Sequence, residues 1–307
     1  MILITGATGF IGSSLCKELK SRNIDFIETS RRISTDNKNH FHISNISQET
    51  IWKEPLIYAE KVIHTAARVH VMKDNSKDSL KKFESINLHG TLNLAKQSID
   101  AGVKRFIFLS SIKVNGEETR EGQPFLYNDV VSPQDPYAVS KYKAEQKLKE
   151  LCKGTSMDLV IVRPPLVYGP GVKGNFALMM KLVSLNLPLP LKGIVNLRSL
   201  VSIYNLTDFL ILCAQHEKEI NDTLLISDDE DISTTELLKK LTFFKGKKDL
   251  LFELPKPILV SLFTLINRKK EIQRLTSNLQ VDVSHTKYKV GWRRKYSFDQ
   301  SLKQMLN

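Results

Sequence analysis

Tyr137 and Lys141 stand four residues apart in Tyr137-Ala138-Val139-Ser140-Lys141, a spacing that puts a phenol and an ammonium on one face of a helix. An ammonium so placed favours the phenolate, lowers the tyrosine pKa and makes a proton donor and acceptor usable near neutral pH. Of the eight tyrosines, only Tyr137 has a lysine four residues later. Such pairs also occur as solvent-facing contacts, so the spacing alone leaves catalysis open. Ser111 lies in Leu109-Ser110-Ser111-Ile112-Lys113-Val114-Asn115-Gly116, at the carboxyl end of an expected strand, where open α/β sheets hold their ligands. Its hydroxyl could donate to a substrate oxygen, or it could only cap the following turn.

A second constellation begins almost at the first residue, in Ile4-Thr5-Gly6-Ala7-Thr8-Gly9-Phe10-Ile11-Gly12. Three glycines spaced by three allow a tight strand-to-helix turn and let the backbone approach a pyrophosphate. They also present the positive end of the next helix to its charge. Gly6, Thr8, Gly9, Phe10, Ile11 and Gly12 are therefore candidate dinucleotide contacts. A bare glycine triplet is weak evidence; here an amphipathic helix expected over 13–20 and a strand over 24–27 complete a βαβ unit of the appropriate length, about 30 residues.

Positioning these groups falls to strands expected over 2–4, 26–29, 40–43, 62–65, 106–110 and 159–163, alternating with helical segments. This alternation predicts an α/β fold, a Rossmann-type doubly wound parallel sheet. A long helix is expected over 80–101, ended by Gly102, and another over 136–151 with Asp135 as N-cap and Pro136 at its first position. After Arg163 the texture shortens around Pro164-Pro165, Gly169-Pro170-Gly171 and a loop at 187–193. The expected division is a dinucleotide-binding domain at 1–165 and a smaller, mainly C-terminal substrate-binding lobe at 166–307, with 198–215 returning to the first.

With these motifs in place, the sequence resembles the extended short-chain dehydrogenase/reductase family, particularly bacterial nucleotide-sugar 4-epimerases and 4-ketoreductases of surface-polysaccharide synthesis. The resemblance covers nearly the whole chain. It adds Val62-Ile63-His64-Thr65-Ala66-Ala67-Arg68-Val69-His70 and Arg163-Pro164-Pro165-Leu166-Val167-Tyr168-Gly169-Pro170 to the segments above. It implies Ser111, Tyr137 and Lys141 as the catalytic set, with Lys141 also on the nicotinamide ribose. Ala66, Ala67 and Arg68 would lie beside the cofactor and Pro164 at the nicotinamide. Lys113, Asn175, Phe176, Arg198 and Arg274 would contact the nucleotide sugar; a bidentate guanidinium suits its diphosphate.

Three departures bear on specificity. Ser30 stands where many relatives place the acidic residue that holds a ribose 2′-hydroxyl, and Arg31-Arg32 follows it, which favours a 2′-phosphate. Asn45, next to Ile46, replaces an aspartate expected near the adenine. Asn115 replaces a common tyrosine, so the sugar pocket is expected to differ from that of the best-known glucose epimerases. The implied activity is NAD(P)-dependent chemistry, leaning to NADP(H), at carbon 4 of a UDP-hexose, an N-acetylhexosamine for preference. A 4-epimerase working through a 4-keto intermediate leads; an NADPH-dependent 4-reductase of a UDP-4-keto-6-deoxy-hexosamine is the alternative. From another class, a non-catalytic dinucleotide-binding protein could keep the same fold. Dehydration is disfavoured because Ile112-Lys113 follows Ser111 where dehydratases typically carry an acidic pair.

Composition bounds the partners. The chain has 307 residues, a formal net charge of +12 and three cysteines, with no Cys-x-x-Cys pair, so neither a disulfide framework nor a metal site is expected. No charged leader precedes the first strand, and the expected compartment is cytoplasmic. Residues 245–307 hold 14 Lys or Arg against five Asp or Glu, yet no nucleic-acid module accompanies them. The apolar run 258–266 beside Arg268-Lys269-Lys270 is too short to span a bilayer; it reads as a buried helix or as a weak peripheral membrane contact. A homodimer is the expectation carried by the resemblance.

Overall fold

The computed structural model describes residues 1–32, 38–69, 79–265 and 269–306. Its strands are β1 (Ile2–Thr5), β2 (Phe26–Ser30), β3 (His40–His42), β4 (Lys61–His64), β5 (Arg105–Leu109), β6 (Asp158–Arg163), β7 (Leu166–Tyr168), β8 (Leu189–Lys192), β9 (Leu200–Ser202), β10 (Asp222–Leu225) and β11 (Leu251–Glu253). Its helices are α1 (Phe10–Ser21), α2 (Lys53–Leu56), α3 (Ser79–Glu84), α4 (Thr91–Asp100), α5 (Pro136–Cys152), α6 (Gly174–Ser184), α7 (Ile203–Gln215), α8 (Thr234–Phe244), α9 (Lys256–Leu265), α10 (Lys269–Thr276), α11 (Ser284–Val290) and α12 (Phe298–Leu306).

Seven strands form one sheet in the order β10-β6-β5-β4-β1-β2-β3, every neighbour parallel. The order reverses beside β1, and that switch point opens a crevice at the carboxyl ends of the strands. The period-2 geometry of a strand splits the apolar residues between two faces. Ile4, Ile63, Ile107 and Val160 pack with α1 and α7 on one face; Leu3, Val62, Phe106 and Leu159 pack with α4 and α5 on the other. A third cluster, built on Tyr168, Phe176, Leu238, Leu259 and Phe298, lies outside the sheet with two short parallel pairs, β7 with β9 and β8 with β11.

The six expected strands appear, each end within a residue or two of its sequence limits. The seventh, β10, was not anticipated. The helix expected over 80–101 is instead three pieces: α3, a π-helical turn at Ser85–Gly90, and α4. Gly90 lies where a Cβ would come 2.6 Å from Ile46 Cγ2, so the wide turn is bounded by close packing. No described helix is long and apolar enough to cross a membrane. In α9, Leu259 is buried in the third cluster, while Ile258 and Leu265 are 50% and 83% exposed. The buried-helix expectation thus describes one face only. Ile266 and Arg268 of that run, like His70, lie outside the described residues.

At the far end of the sheet, α11 packs along the edge strand β10. Thr286 Oγ1 donates to the Leu225 carbonyl at 2.6 Å and His285 Nε2 lies 2.9 Å from Asp222 Oδ2.

Candidate active site

The glycine turn shows a local requirement for glycine at two positions. Gly6 has φ +71°, and a Cβ there would lie 2.8 Å from Ala66 Cα; a Cβ on Gly12 would lie 2.2 Å from the Gly6 carbonyl oxygen. The first contact draws the loop after β4 against the loop after β1, placing Ala66 and Ala67 at the crevice. Gly9 is the N-cap of α1 and offers no side chain; the first intrahelical bond runs from Ser13 N to the Gly9 carbonyl at 2.9 Å. The amides of Phe10, Ile11 and Gly12 precede that bond, so the positive end of α1 faces the crevice uncapped, a cradle that fits a dinucleotide pyrophosphate.

The adenosine end is less committed. Ser30 Oγ is 2.9 Å from His40 Nε2 and accepts from Arg32 N at 3.1 Å, so it braces the turn after β2; Arg31 and Arg32 are exposed. Asn45 Oδ1 accepts from Ile46 N at 2.9 Å and Ile46 packs on Gly90.

Beneath Ala66, His64 is fully buried between the Thr5 hydroxyl, 2.6 Å from Nδ1, and the Thr91 hydroxyl, 2.9 Å from Nε2. Burial, with Lys141 nearby, holds its pKa down at about 3, so it is a neutral spacer. Asn87, inside the π turn, accepts from Arg68 N at 2.8 Å and donates to the Arg68 carbonyl and to Ser140 Oγ, both at 3.0 Å. It joins the loop after β4 to α5.

Helix α5 starts as its sequence predicts, with Asp135 Oδ1 accepting from Ala138 N at 2.7 Å. Tyr137 is half-buried, edge-on to Phe83 at 6.1 Å. Lys141 is 1% exposed; its Nζ donates to the Leu109 carbonyl at 2.8 Å and lies 4.4 Å above the Phe108 ring. Burial pushes the lysine pKa down to about 7, against the opposing pull of Glu145. The expected lowering of the Tyr137 pKa by Lys141 is not the state seen here: burial first and the Asp135 charge second push the phenol up.

Ser111 caps a 3₁₀ turn, Ile112–Val114, by accepting from Lys113 N at 3.3 Å. Capping uses a lone pair and leaves the O–H to donate elsewhere, so both sequence readings of Ser111 coexist. The Pro164 carbonyl accepts from Ile112 N at 2.9 Å and binds this turn to the end of β6.

Below lies a buried network that sequence reasoning missed. Arg163 grips both Glu145 oxygens and donates to Asn115 Oδ1 at 2.9 Å; Ser110 Oγ also donates to Glu145, and Asn115 Nδ2 donates to the Leu126 carbonyl at 3.1 Å. Asn115 is therefore a bolt below the pocket. Glu145, four residues beyond Lys141 on the same helical face, was the available signal.

The expected nucleotide-sugar contacts divide. Asn175 is half-buried in the first turn of α6. The Phe176 side chain is fully buried and stacked on Tyr168 at 5.4 Å, which leaves its backbone to meet a ligand. Arg198 Nη1 donates to the carbonyls of Arg274 and Ser277 at 2.9 and 3.1 Å. Burial and the neighbouring Arg274 push its pKa down to about 10. Lys113 is drawn to Asp135, 2.5 Å away.

A glycine-lined crevice at the switch point of a seven-stranded parallel sheet, with a tyrosine and buried lysine at its rim, makes this an extended short-chain dehydrogenase/reductase. The model of the NAD dependent epimerase/dehydratase family matches residues 2–226, and the chain belongs to that family of enzymes. It is 45% identical over 308 aligned positions to a UDP-glucose 4-epimerase of Vibrio cholerae, covering 99% of this chain and 93% of that protein. Two solved structures share the fold over 99% of this chain and 97% of theirs. They are a UDP-glucose 4-epimerase of Thermotoga maritima with UDP-glucose (TM-score 0.76, 22% identity) and a UDP-glucuronic acid 4-epimerase of Bacillus cereus in complex with NAD (TM-score 0.79, 20% identity).

Proposed function

We propose that this enzyme is a NAD(P)-dependent 4-epimerase of a UDP-hexose, with UDP-N-acetylhexosamine as the preferred class. The observation that carries the reading is Lys141: a buried ammonium four residues beyond Tyr137, held on the carbonyl of Leu109, which itself lies two residues before Ser111. Full-length similarity to the Vibrio cholerae protein supports the 4-epimerase assignment. The N-acetyl group follows from the resemblance to surface-polysaccharide enzymes.

Bound dinucleotide would supply the hydride acceptor and donor. Ser111 donates to the oxygen on carbon 4 and fixes the ring. Tyr137 takes the 4-hydroxyl proton and, after the ketone turns over and its other face would receive the hydride, returns that proton to the same oxygen. Lys141 holds the ribose and carries charge opposite the phenolate; Arg198 and Arg274 hold the diphosphate. Incubation with UDP-glucose, UDP-N-acetylglucosamine and their 4-epimers, followed by product identification, tests the assignment. Conversion of none of them overturns it.

One observation favours the reductase reading: Arg31 and Arg32 are both exposed beside a Ser30 that brings no carboxylate. NADP(H) is expected to bind at least as tightly as NAD(H), and titration of both into stripped protein, repeated with Arg31→Ala and Arg32→Ala, measures it. A clear NAD preference unmoved by either change removes the reductase from consideration.

A further inference from the structure

The ammonium of Lys113 sits among carboxylates. Its Nζ is 2.5 Å from Asp135 Oδ2 and 3.7 Å from Glu117 Oε1, and Glu117 in turn is 4.0 Å from Arg274. Lys113 lies two residues after Ser111 and Asp135 two residues before Tyr137, so the close pair bridges the two segments that carry the candidate catalytic hydroxyls. Asp135 serves both sides at once, with Oδ1 accepting from Ala138 N at 2.7 Å as helix cap and Oδ2 facing the lysine. The side chains are 25% and 15% exposed, which screens the pair less than one at the open surface.

Resting on the epimerase/reductase reading above, we propose that Lys113 is a positioning residue: together with Asp135 it clamps the Ser111 turn to the first turn of the Tyr137 helix. The chain between these segments also returns to the turn at Ser132 N, 3.2 Å from the Val114 carbonyl and 3.1 Å from that of Asn115, and at the Leu126 carbonyl, which accepts from Asn115 Nδ2 at 3.1 Å. Helix α5 also holds the strand end through Lys141 on the Leu109 carbonyl and Glu145 on Ser110, both ahead of Ser111, and the ion pair is the tie from the first turn of α5 to the turn that follows Ser111. The lysine also offsets the Asp135 charge, which acts on the Tyr137 phenol. Phe83 lies edge-on to the phenol ring, with the Arg68 guanidinium 5.8 Å from the Phe83 ring, and Lys141 follows Tyr137 by four residues on α5.

A double-mutant cycle tests the clamp in the full chain. The variants are Lys113→Met, Asp135→Asn, which keeps a good N-cap, the double variant, and Lys113→Arg. Each single change lowers kcat about tenfold with KM within about twofold, because misplacing a reacting group costs rate and leaves ground-state binding alone. The double variant is no worse than either single one, and Lys113→Arg recovers most of the rate. The opposite pattern, a raised KM and weakened UDP binding in Lys113→Met with Asp135→Asn unaffected, makes Lys113 a substrate ligand and overturns the proposal. Thermal unfolding of the same four proteins needs no substrate. If wild-type protein turns over no UDP-sugar, the functional reading fails, while Tm losses that do not add still support the clamp and additive losses overturn it.

Discussion

Arg163 and Arg198 are both drawn out of bulk water, one at the end of β6 beneath Ser110 and one against the backbone of Arg274 and Ser277, and their charges are treated differently. Arg163 is neutralised in place by both oxygens of Glu145 and held further by Asn115. Arg198 meets two backbone carbonyls and a like-charged neighbour, Arg274, with no carboxylate at ion-pair distance among the described residues. A paired buried charge fixes shape, because removing either partner strands the other. A desolvated cation without a counter-ion stores attraction for an anionic ligand. The first arrangement suits a catalytic floor and the second a diphosphate clamp.

The division is tested most severely at the reacting centre. Tyr137→Phe is expected to lower turnover by about 10²–10⁴ while UDP and dinucleotide binding survive. Steady-state rates beside calorimetric titration measure both, and near-normal turnover breaks the assignment.

Lys141 shares the catalytic floor without sharing its neutrality. Its folded-state pKa of about 7 lies below the ordinary 10.5, so the cost of the buried ammonium is complete below pH 7 and fades as pH rises toward 10.5. At about 1.36 kcal/mol per pKa unit that cost is about 4–5 kcal/mol, less what the bond to Leu109 returns. Lys141→Met should therefore be inactive yet more stable than the parent at pH 6, with the advantage shrinking by pH 9. A Tm difference that ignores pH refutes this.

Glu145→Gln should strand Arg163 and cost about 3–5 kcal/mol in urea unfolding. A loss under about 1 kcal/mol would mean that the network is not a paired floor. The smallest effect belongs to Arg198. Arg198→Met should weaken UDP binding by about tenfold or more and leave the unfolding midpoint unchanged or raised. Unchanged UDP affinity would erase the contrast between the two arginines.

Much of this was legible in the residues. The strands that carry the site are short apolar runs closed by turn residues, the Asp135-Pro136 cap is unambiguous, and the glycine turn appears where its spacing put it. The order of strands was available only as a fold expectation. The π turn was not legible because burial recurs at Phe83, Asn87, Thr91, Ala95 and Ser98, a spacing that an unbroken helix would also give. Phe176 and Lys113 illustrate another limit. The resemblance names each as a nucleotide-sugar contact, but where its side chain rests, Phe176 on Tyr168 and Lys113 on Asp135, is not written in either residue alone. Glu145 was hidden by its type, since carboxylates are rarely buried without a partner and Arg163 is remote in the chain.

The helix α11 along β10 also bears on how the chain is made. An uncovered parallel edge is a template for strands of other molecules, and the residues that cover this one, through Thr286 and His285, are synthesised late. During translation the sheet can assemble before its guard arrives, so the nascent enzyme passes through a stage open to edge-to-edge aggregation. Yield in an expression host should then depend on the α11 segment more than its distance from Tyr137 and Lys141 in the chain would suggest.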